Sequence, residues 1–248
     1  MRHLDFTIDF ETCSLSANAA VMQVAIVPWV RDNDADPFCN EQEVQPYVRY
    51  VDLRTCVVDG FDFDQATVKW WSERSEAAKR AVTADLPEPV SDVLIAALDY
   101  IRDIVKRHEV ESICLWCQGP DVDIAILRNL CRKYDVNLED VIPHTSFRDC
   151  RTVILEAALI KRMREIKERN EQFVKSGKAV TDVEIMPDGS VVPCTLLSDQ
   201  ILAGSYDVYK MFAPLPDRYA AGSEAHDALY DALRSSWNTW QALQWMRG

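Results

Sequence analysis

Residues 4–12, Leu-Asp-Phe-Thr-Ile-Asp-Phe-Glu-Thr, decide the fold. Apolar and polar side chains alternate along this stretch, so a β-strand would place its apolar side chains on one face and Asp9 and Glu11 on the other. Carboxylates displayed from an apolar strand are costly to bury unless they are paired or bind a metal. The stretch therefore predicts a first strand that carries a functional pair of acids.

The segments that follow alternate between strand and helix patterns. Residues 21–29 and 46–52 have strand character, and the turn-forming residues between them predict an antiparallel meander with the first strand. The remaining predicted elements are helix 65–82, helix 90–107, strand 111–117, helix 122–134, strand 145–149, helix 151–174, a small hairpin around Pro187–Gly189 and helix 224–246. This βαβ-type rhythm predicts an α/β protein with a mixed sheet.

Length and composition are those of a globular chain. At 248 residues, with 48% apolar and 27% charged residues, the chain fits a single domain, 1–248, with an insertion at about 156–215. No stretch approaches eighteen uncharged apolar residues, and the first residues carry acids where a signal peptide needs an apolar core. We therefore expect a cytoplasmic protein with no membrane partner.

The eight cysteines are scattered along the chain. In a cytoplasmic protein we expect them to be reduced and mostly buried. Cys114 and Cys117 form a C-x-x-C motif, but a structural zinc site needs a second pair of ligands at matching spacing, and none is evident. The sequence therefore favours buried thiols over a zinc or redox site.

The net charge of -13 argues at first against a nucleic-acid substrate, because phosphate binding favours a basic surface. Acids that hold divalent cations, however, are neutralised locally by those cations. Residues 161–178 are net positive in an otherwise acidic chain, with seven Lys or Arg and three Glu. This basic segment is interpreted either as a solvated helix face with i,i+4 ion pairs or as a strip that follows a phosphate backbone.

Asp123, His226 and Asp231 complete the set of candidate functional residues. Asp123 opens a predicted helix after a Gly-Pro turn, where its alternative role is helix capping. His226 and Asp231 are five residues apart, which on a helix leaves their side chains about 140° apart. They converge only if His226 lies at or before the helix start. A histidine there suits a general base, and four carboxylates suit hard divalent cations.

Three motifs carry a family resemblance: Asp9-Phe-Glu11-Thr, Gln118-Gly-Pro-Asp-Val-Asp123 and His226-Asp-Ala-Leu-Tyr-Asp231. They resemble the three exonuclease motifs of the DEDDh 3'→5' exonucleases in the ribonuclease H-like superfamily, in particular phage-type exodeoxyribonucleases and related small exoribonucleases. Gln118 and Val122 depart from the usual pattern of the second motif, and neither is a metal ligand. The resemblance runs from residue 4 to about 155 and again from about 220 to 235, and none of its motifs falls in residues 156–215.

The resemblance implies a ribonuclease H-like fold, a mixed five-stranded sheet flanked by helices, with a helical and hairpin insertion. It implies that Asp9, Glu11, Asp123 and Asp231 hold two Mg²⁺ ions, for which Mn²⁺ may substitute, and that His226 is the general base. It also implies substrate contacts, which we assign to Phe10, Thr12, Trp71 and Arg148.

The expected activity is removal of 5'-mononucleotides from the 3' end of a single-stranded nucleic acid, DNA in preference to RNA. A short-RNA exonuclease is the alternative within the class. A catalytically silent binding module is the alternative from another class. A homodimer is also implied by the resemblance.

Overall fold

The computed structural model describes residues 3–38, 44–181, 183–185, 190–220 and 226–247. The strands are β1 His3–Thr12, β2 Val21–Trp29, β3 Tyr47–Tyr50, β4 Ser112–Cys117, β5 Phe147–Asp149, β6 Val183–Ile185 and β7 Val191–Pro193. The α-helices are α1 Leu53–Val58, α2 Gln65–Ser72, α3 Glu76–Ala81, α4 Val90–Arg107, α5 Asp123–Lys133, α6 Cys150–Lys175, α7 Leu196–Leu202, α8 Asp217–Ala220 and α9 Ala228–Arg247. Short 3₁₀ turns cover Leu138–Asp140, His144–Ser146 and Val208–Met211.

The chain divides into two compact units. Unit 1 comprises residues 1–150 and 215–240, and unit 2 comprises residues 151–214 and 241–248. The segment expected to be an insertion, 156–215, therefore falls almost entirely in unit 2. Among the residues that the structure describes, no helix has both the length and the apolar character needed to cross a membrane.

Unit 1 is built on a five-stranded sheet in the order β3-β2-β1-β4-β5. The first three strands pair antiparallel, as the predicted meander requires, whereas β1 and β4 pair parallel and so do β4 and β5. The expected mixed five-stranded sheet is confirmed. Its central strand is β1, so the carboxylates of this strand lie in the middle of the sheet.

Both faces of β1 are covered. Phe6 and Ile8 are buried in an apolar cluster that includes Leu98 of α4. On the opposite face, Thr7 is buried and its Oγ1 lies 2.8 Å from the hydroxyl oxygen of Ser236 in α9. The alternating side chains of residues 4–12 thus point to two faces that are both covered, because the strand lies inside the sheet with helices packed on each side.

Three predicted boundaries change for identifiable local reasons. The helix expected over 65–82 is two helices, because the Ser75 hydroxyl accepts a hydrogen bond from Ala78 N and starts α3 anew. The strand expected over 46–52 ends at Tyr50, because Asp52 caps α1. The helix expected from residue 224 begins at Ala228, with His226 before it at a φ of 69°. Residues 224 and 225 lie outside the described residues.

Unit 2 contains the greater part of α6 and the hairpin of β6 and β7, which pair antiparallel. The hairpin expected on either side of Pro187–Gly189 is confirmed by this pairing, although the turn itself, 186–189, lies outside the described residues.

The basic segment 161–178 is engaged within unit 2. Arg162 and Arg169 both form ion pairs with Glu184 of β6, and Lys161 Nζ donates a hydrogen bond to Met211 O at 2.6 Å. The guanidinium of Arg164 lies 4.4 Å from the ring centroid of Trp245. Lys161, Arg162 and Arg169 are thus engaged in contacts within unit 2, and the interpretation of a strip that follows phosphates stays a prediction.

Candidate metal centre

The first two acids of the site come from β1. Asp9 lies opposite Ala25 of β2 and Glu11 lies opposite Gln23. Glu11 is 8% exposed and Asp9 is half-buried. Since the two residues are two apart on one strand, their side chains leave the same face of the sheet, as predicted.

The third acid is the first residue of α5. Asp123 follows the turn after β4 and is 5% exposed. The N-cap of α5 is Val122, so the alternative role of Asp123 as the capping residue is wrong. The helix dipole favours a negative charge in the first helical turn. The position of Asp123 there also brings its charge near Asp9 of β1.

The last two residues come from the start of α9. His226 precedes the helix, Asp231 lies in its first turn, and His226 N donates a hydrogen bond to Asp231 Oδ2 at 3.0 Å. One ligand atom from each of Glu11, His226 and Asp231 can be chosen so that all three lie within 4.8 Å of one another. The structure therefore brings the two ends of the chain together at one point.

The acids repel one another strongly. Burial, followed by the charges of Asp123, Glu11 and Asp231, raises the pKa of Asp9 well above its ordinary value. Burial, followed by the charges of Asp231, Asp227 and Asp123, raises the pKa of Glu11 to about 8. Four carboxylates that are buried or half-buried, together with one imidazole, fit a site for hard divalent cations.

Among the described residues, the guanidinium of Arg234 opposes the charge of these acids, and its effect on the pKa of Asp9 is small. Arg234 Nη2 lies 3.2 Å from Asp231 Oδ1, and its charge lowers the pKa of Asp9 only as the last of the causes that act on it. A single half-buried guanidinium does not balance four acids. Bound divalent cations would supply the missing charge.

The stability of the metal-free protein is expected to fall as the pH rises from about 4.5 to about 8. The Glu11 pKa is about 8 in the folded protein against an ordinary value of 4.5, so the folded state holds this proton more tightly. The resulting stabilisation is complete below pH 4.5 and is lost as the pH rises through 8, by at most about 1.4 kcal/mol per pH unit for one group. Urea unfolding in EDTA across this range measures it.

Glu11→Gln is the matched control, because the amide does not titrate, and it should flatten the profile. Mg²⁺ should flatten it as well, by stabilising the ionised form. A wild-type profile in EDTA that is already flat would contradict the prediction.

The expected substrate contacts are placed less uniformly. Phe10 packs against the apolar core, and the buried Thr12 hydroxyl donates a hydrogen bond to Ser14 O at 2.6 Å. Trp71 is also buried, with Nε1 donating to Thr12 O at 2.9 Å. Arg148 is exposed on β5 and its Nη1 donates to two nearby carbonyl oxygens. Phe10 is half-buried, Thr12 and Trp71 are buried, and the substrate contacts assigned to these three residues and to Arg148 stay predictions.

The exposed indole beside the site is Trp70, which the sequence interpretation did not select. Its side chain is 36% exposed, and its ring centroid lies 4.7 Å from that of His226 in an edge-to-face arrangement. The guanidinium of Arg74 lies over the Trp70 ring, 4.3 Å from its centroid. Of the two adjacent tryptophans, Trp70 is the more exposed and Trp71 is buried.

Cys114 and Cys117 do not form a shared site. They are three residues apart on β4, so their side chains leave opposite faces. Cys117 Sγ contacts Arg148 O, and burial raises the pKa of this thiol. Within the described part of the chain, the seven cysteines are free and buried, as predicted, while Cys39 lies outside it.

A second cluster, His3, Asp5 and Cys114, also has closely spaced ligand atoms. Here the cation is already present, because Arg31 Nε donates to Asp5 Oδ2 at 2.7 Å. Burial would raise the pKa of Asp5, but hydrogen bonds from His3, Arg31 and Trp116 outweigh it and the pKa is lowered. The cluster is an internal ion pair rather than a metal site.

The sequence matches one protein family over most of its length. The family described as the 3'-5' exoribonuclease Rv2179c-like domain matches residues 4–184. An exodeoxyribonuclease of Enterobacteria phage T4 is 27% identical over 130 residues, which cover 52% of this chain and 56% of the phage protein. The matched region thus spans little more than half the length of that relative.

Two solved structures are similar in fold at low sequence identity. The nuclease domain of 3'hExo, described as a DEDDh family member bound to rAMP, is 14% identical, with a TM-score of 0.48 over 97% of this chain and 92% of that one. Product-bound exonuclease I is 13% identical, with a TM-score of 0.43 over 100% of this chain and 46% of that one. Assignment to a family rests on the sequence match and not on these superpositions.

Proposed function

We propose, from the premise that the chain belongs to the Rv2179c-like family of 3'-5' exoribonuclease domains, that it removes nucleotides stepwise from the 3' end of single-stranded nucleic acid. The observation that supports this most directly is the approach of Glu11, His226 and Asp231 to within 4.8 Å, beside the acids Asp9 and Asp123, the second of which raises the pKa of both Asp9 and Glu11. This is the donor set that metal-assisted hydrolysis of a phosphodiester requires.

In this proposal Asp9, Glu11, Asp123 and Asp231 hold two Mg²⁺ ions, with Mn²⁺ as a substitute. When bound, such cations would supply positive charge at the phosphodiester and would make a bound water more acidic. The protein supplies the rest through its own residues. Asp9 lies on the central strand and feels the charge of the other three acids, so it would be among the ligands.

His226 takes the proton from the attacking water. Its backbone is anchored by the hydrogen bond to Asp231 Oδ2, and its ring is supported by the edge of Trp70. Because His226 precedes α9, it is not fixed by the side-chain contacts of a helical turn. Its ring is therefore able to turn toward the acids. The proton acceptor thus lies beside the carboxylates without belonging to a rigid helical turn.

Trp70 and Arg74 form the exposed surface next to the proton acceptor. An indole face can stack on a nucleobase, a contact worth about 1–3 kcal/mol per base. Arg74 covers that face in the free protein, and its guanidinium would be released toward a phosphate when a base takes its place. We therefore assign the contact to the terminal base to Trp70 instead of Trp71.

The proposed substrate is single-stranded DNA, which the likeness to the phage exodeoxyribonuclease favours. RNA is the second candidate, favoured by the description of the family as exoribonucleases. RNA recognition would require a contact to the 2'-hydroxyl. The expected homodimer and cytoplasmic location stay predictions.

Purified protein incubated with 5'-labelled DNA and RNA oligonucleotides of the same sequence tests the proposal. With Mg²⁺ we expect a ladder that shortens from the 3' end and releases 5'-mononucleotides, and with EDTA we expect intact oligonucleotide. Shortening of RNA alone would replace the DNA assignment by the RNA candidate. Binding of both without shortening of either would refute the exonuclease and favour a silent binding module.

A further inference from the structure

Gln23 is a completely buried amide near the start of β2. It lies directly opposite Glu11 on the neighbouring strand. Its carboxamide reaches 204 residues along the chain, with Nε2 donating a hydrogen bond to Asp227 Oδ1 at 3.1 Å and Oε1 accepting one from Ala228 N at 2.9 Å. A buried polar side chain whose two ends are both used fixes the groups that it contacts.

These two hydrogen bonds fix the start of α9. Asp227 Oδ1 also accepts a hydrogen bond from Leu229 N at 3.1 Å, and Asp227 O accepts one from Asp231 N at 2.9 Å. Asp227 therefore caps the helix, and Gln23 holds the capping carboxylate and the first helical N–H together. The position of the helix start is set by β2, the strand next to Glu11.

His226 directly precedes this anchored pair. Its φ of 69° lies in the left-handed region, which a non-glycine residue keeps only when its surroundings enforce it. On the N-terminal side, residues 221–225 lie outside the described residues. The backbone of His226 is thus anchored by its own N–H bond to Asp231 and by the adjoining peptide held by Gln23, while its ring contacts Trp70 and Trp71.

We infer that Gln23 is a positioning residue for His226, acting through Asp227 and Ala228. The inference rests on the proposed function, since it assigns Gln23 a part in the same reaction. Without the carboxamide, the half-buried Asp227 carboxylate loses one of its donors and the buried Ala228 N–H loses its acceptor, and the segment can leave the left-handed conformation. The imidazole then spends less time where it can accept the proton, while the acids on β1 and α5 keep their places.

A double-mutant cycle between Gln23 and His226 tests this inference. The variants are Gln23→Met, His226→Ala and the pair, assayed for turnover of the labelled oligonucleotide at saturating Mg²⁺. We expect Gln23→Met to lower kcat by roughly tenfold to a hundredfold, the scale of a misplaced catalytic group, with KM nearly unchanged. In the His226→Ala background it should cause no further loss, because the group on which it acts is already gone.

Additive losses in the cycle, or an unchanged kcat in Gln23→Met, would overturn the inference, since a purely structural role does not depend on the imidazole. Gln172→Met is the matched control, because Gln172 is exposed on α6, and it should leave kcat unchanged. If wild-type protein fails to shorten any oligonucleotide, the proposed function falls. Activity in the wild type with additive losses removes only the role of Gln23.

A swapped pair keeps the test decisive if Gln23→Met does not fold. Gln23→Glu leaves an acceptor for Ala228 N but faces the Asp227 carboxylate with another carboxylate, so kcat should fall. Adding Asp227→Asn restores the hydrogen bond with its direction reversed, because residue 227 now carries the amide donor and residue 23 the carboxylate acceptor. We then expect kcat to recover at least several-fold. Absence of recovery in a double variant whose circular dichroism and thermal melt match the wild type would contradict the inference.

Discussion

Asp123→Ala is expected to abolish exonucleolytic turnover while leaving the fold intact or more stable. Asp123 is 5% exposed, and its charge raises the pKa of both Asp9 and Glu11. Removing it relieves a repulsion that the metal-free protein carries and deletes a ligand that the cations need. The expected loss of kcat is roughly 10³-fold or more, the scale for a group that stabilises developing charge.

The unfolding temperature of Asp123→Ala distinguishes a role of Asp123 as a metal ligand from a role in holding the fold. In EDTA, Asp123→Ala should unfold at a temperature equal to or above that of the wild type, because a buried like charge has been removed. Adding Mg²⁺ should raise the unfolding temperature of the wild type by linkage and of the variant much less. Asp121→Asn, at an exposed position in the same turn, is the control and should keep both activity and metal response.

Full activity in Asp123→Ala would remove Asp123 from the set of ligands. A strong loss of stability in EDTA would instead mean that the carboxylate holds α5 in place. The expected combination, with activity lost and metal-free stability kept, arises only if the acid serves the cations at the expense of the fold.

The features of the sequence that repeat locally predict the fold best. The alternation in residues 4–12 predicts the central strand, and the turn residues after β2 predict the meander that the structure contains. The position of His226 before the last helix follows from helix geometry, because an interval of five residues does not otherwise let two side chains converge. In each case the decisive information lies within a few residues of chain.

Contacts between distant segments are where prediction from the sequence fails. Segment 161–178 has the charge pattern of a solvated or phosphate-binding helix, yet Arg162 and Arg169 are committed to Glu184 on a hairpin that no local pattern links to them. Gln23 is one polar residue in an apolar strand, and only its partner at Asp227 gives it a role. Trp70 and Trp71 are chemically equal in the sequence, and packing alone decides which is exposed.

His226→Ala is expected to lower kcat by about 10² at saturating Mg²⁺, as expected for the loss of a general base. The ring of His226 is close enough to Glu11 and Asp231 to serve as a metal ligand instead, and the two roles predict different behaviour. If the imidazole is a ligand, the variant binds Mg²⁺ more weakly, and a higher Mg²⁺ concentration restores kcat. If it is the proton acceptor, Mg²⁺ binding is nearly unchanged and kcat stays low at every concentration.

Added imidazole provides the second measurement. The space left by the side chain adjoins the exposed Trp70 ring, so a free imidazole can enter it and accept the proton. We expect kcat of His226→Ala to rise several-fold with imidazole, whereas Asp123→Ala should not respond. His144→Ala, at an exposed histidine, is the control and should match the wild type throughout. Recovery of His226→Ala by Mg²⁺ alone, without any response to imidazole, would assign His226 to the metal shell and leave the proton acceptor to another group.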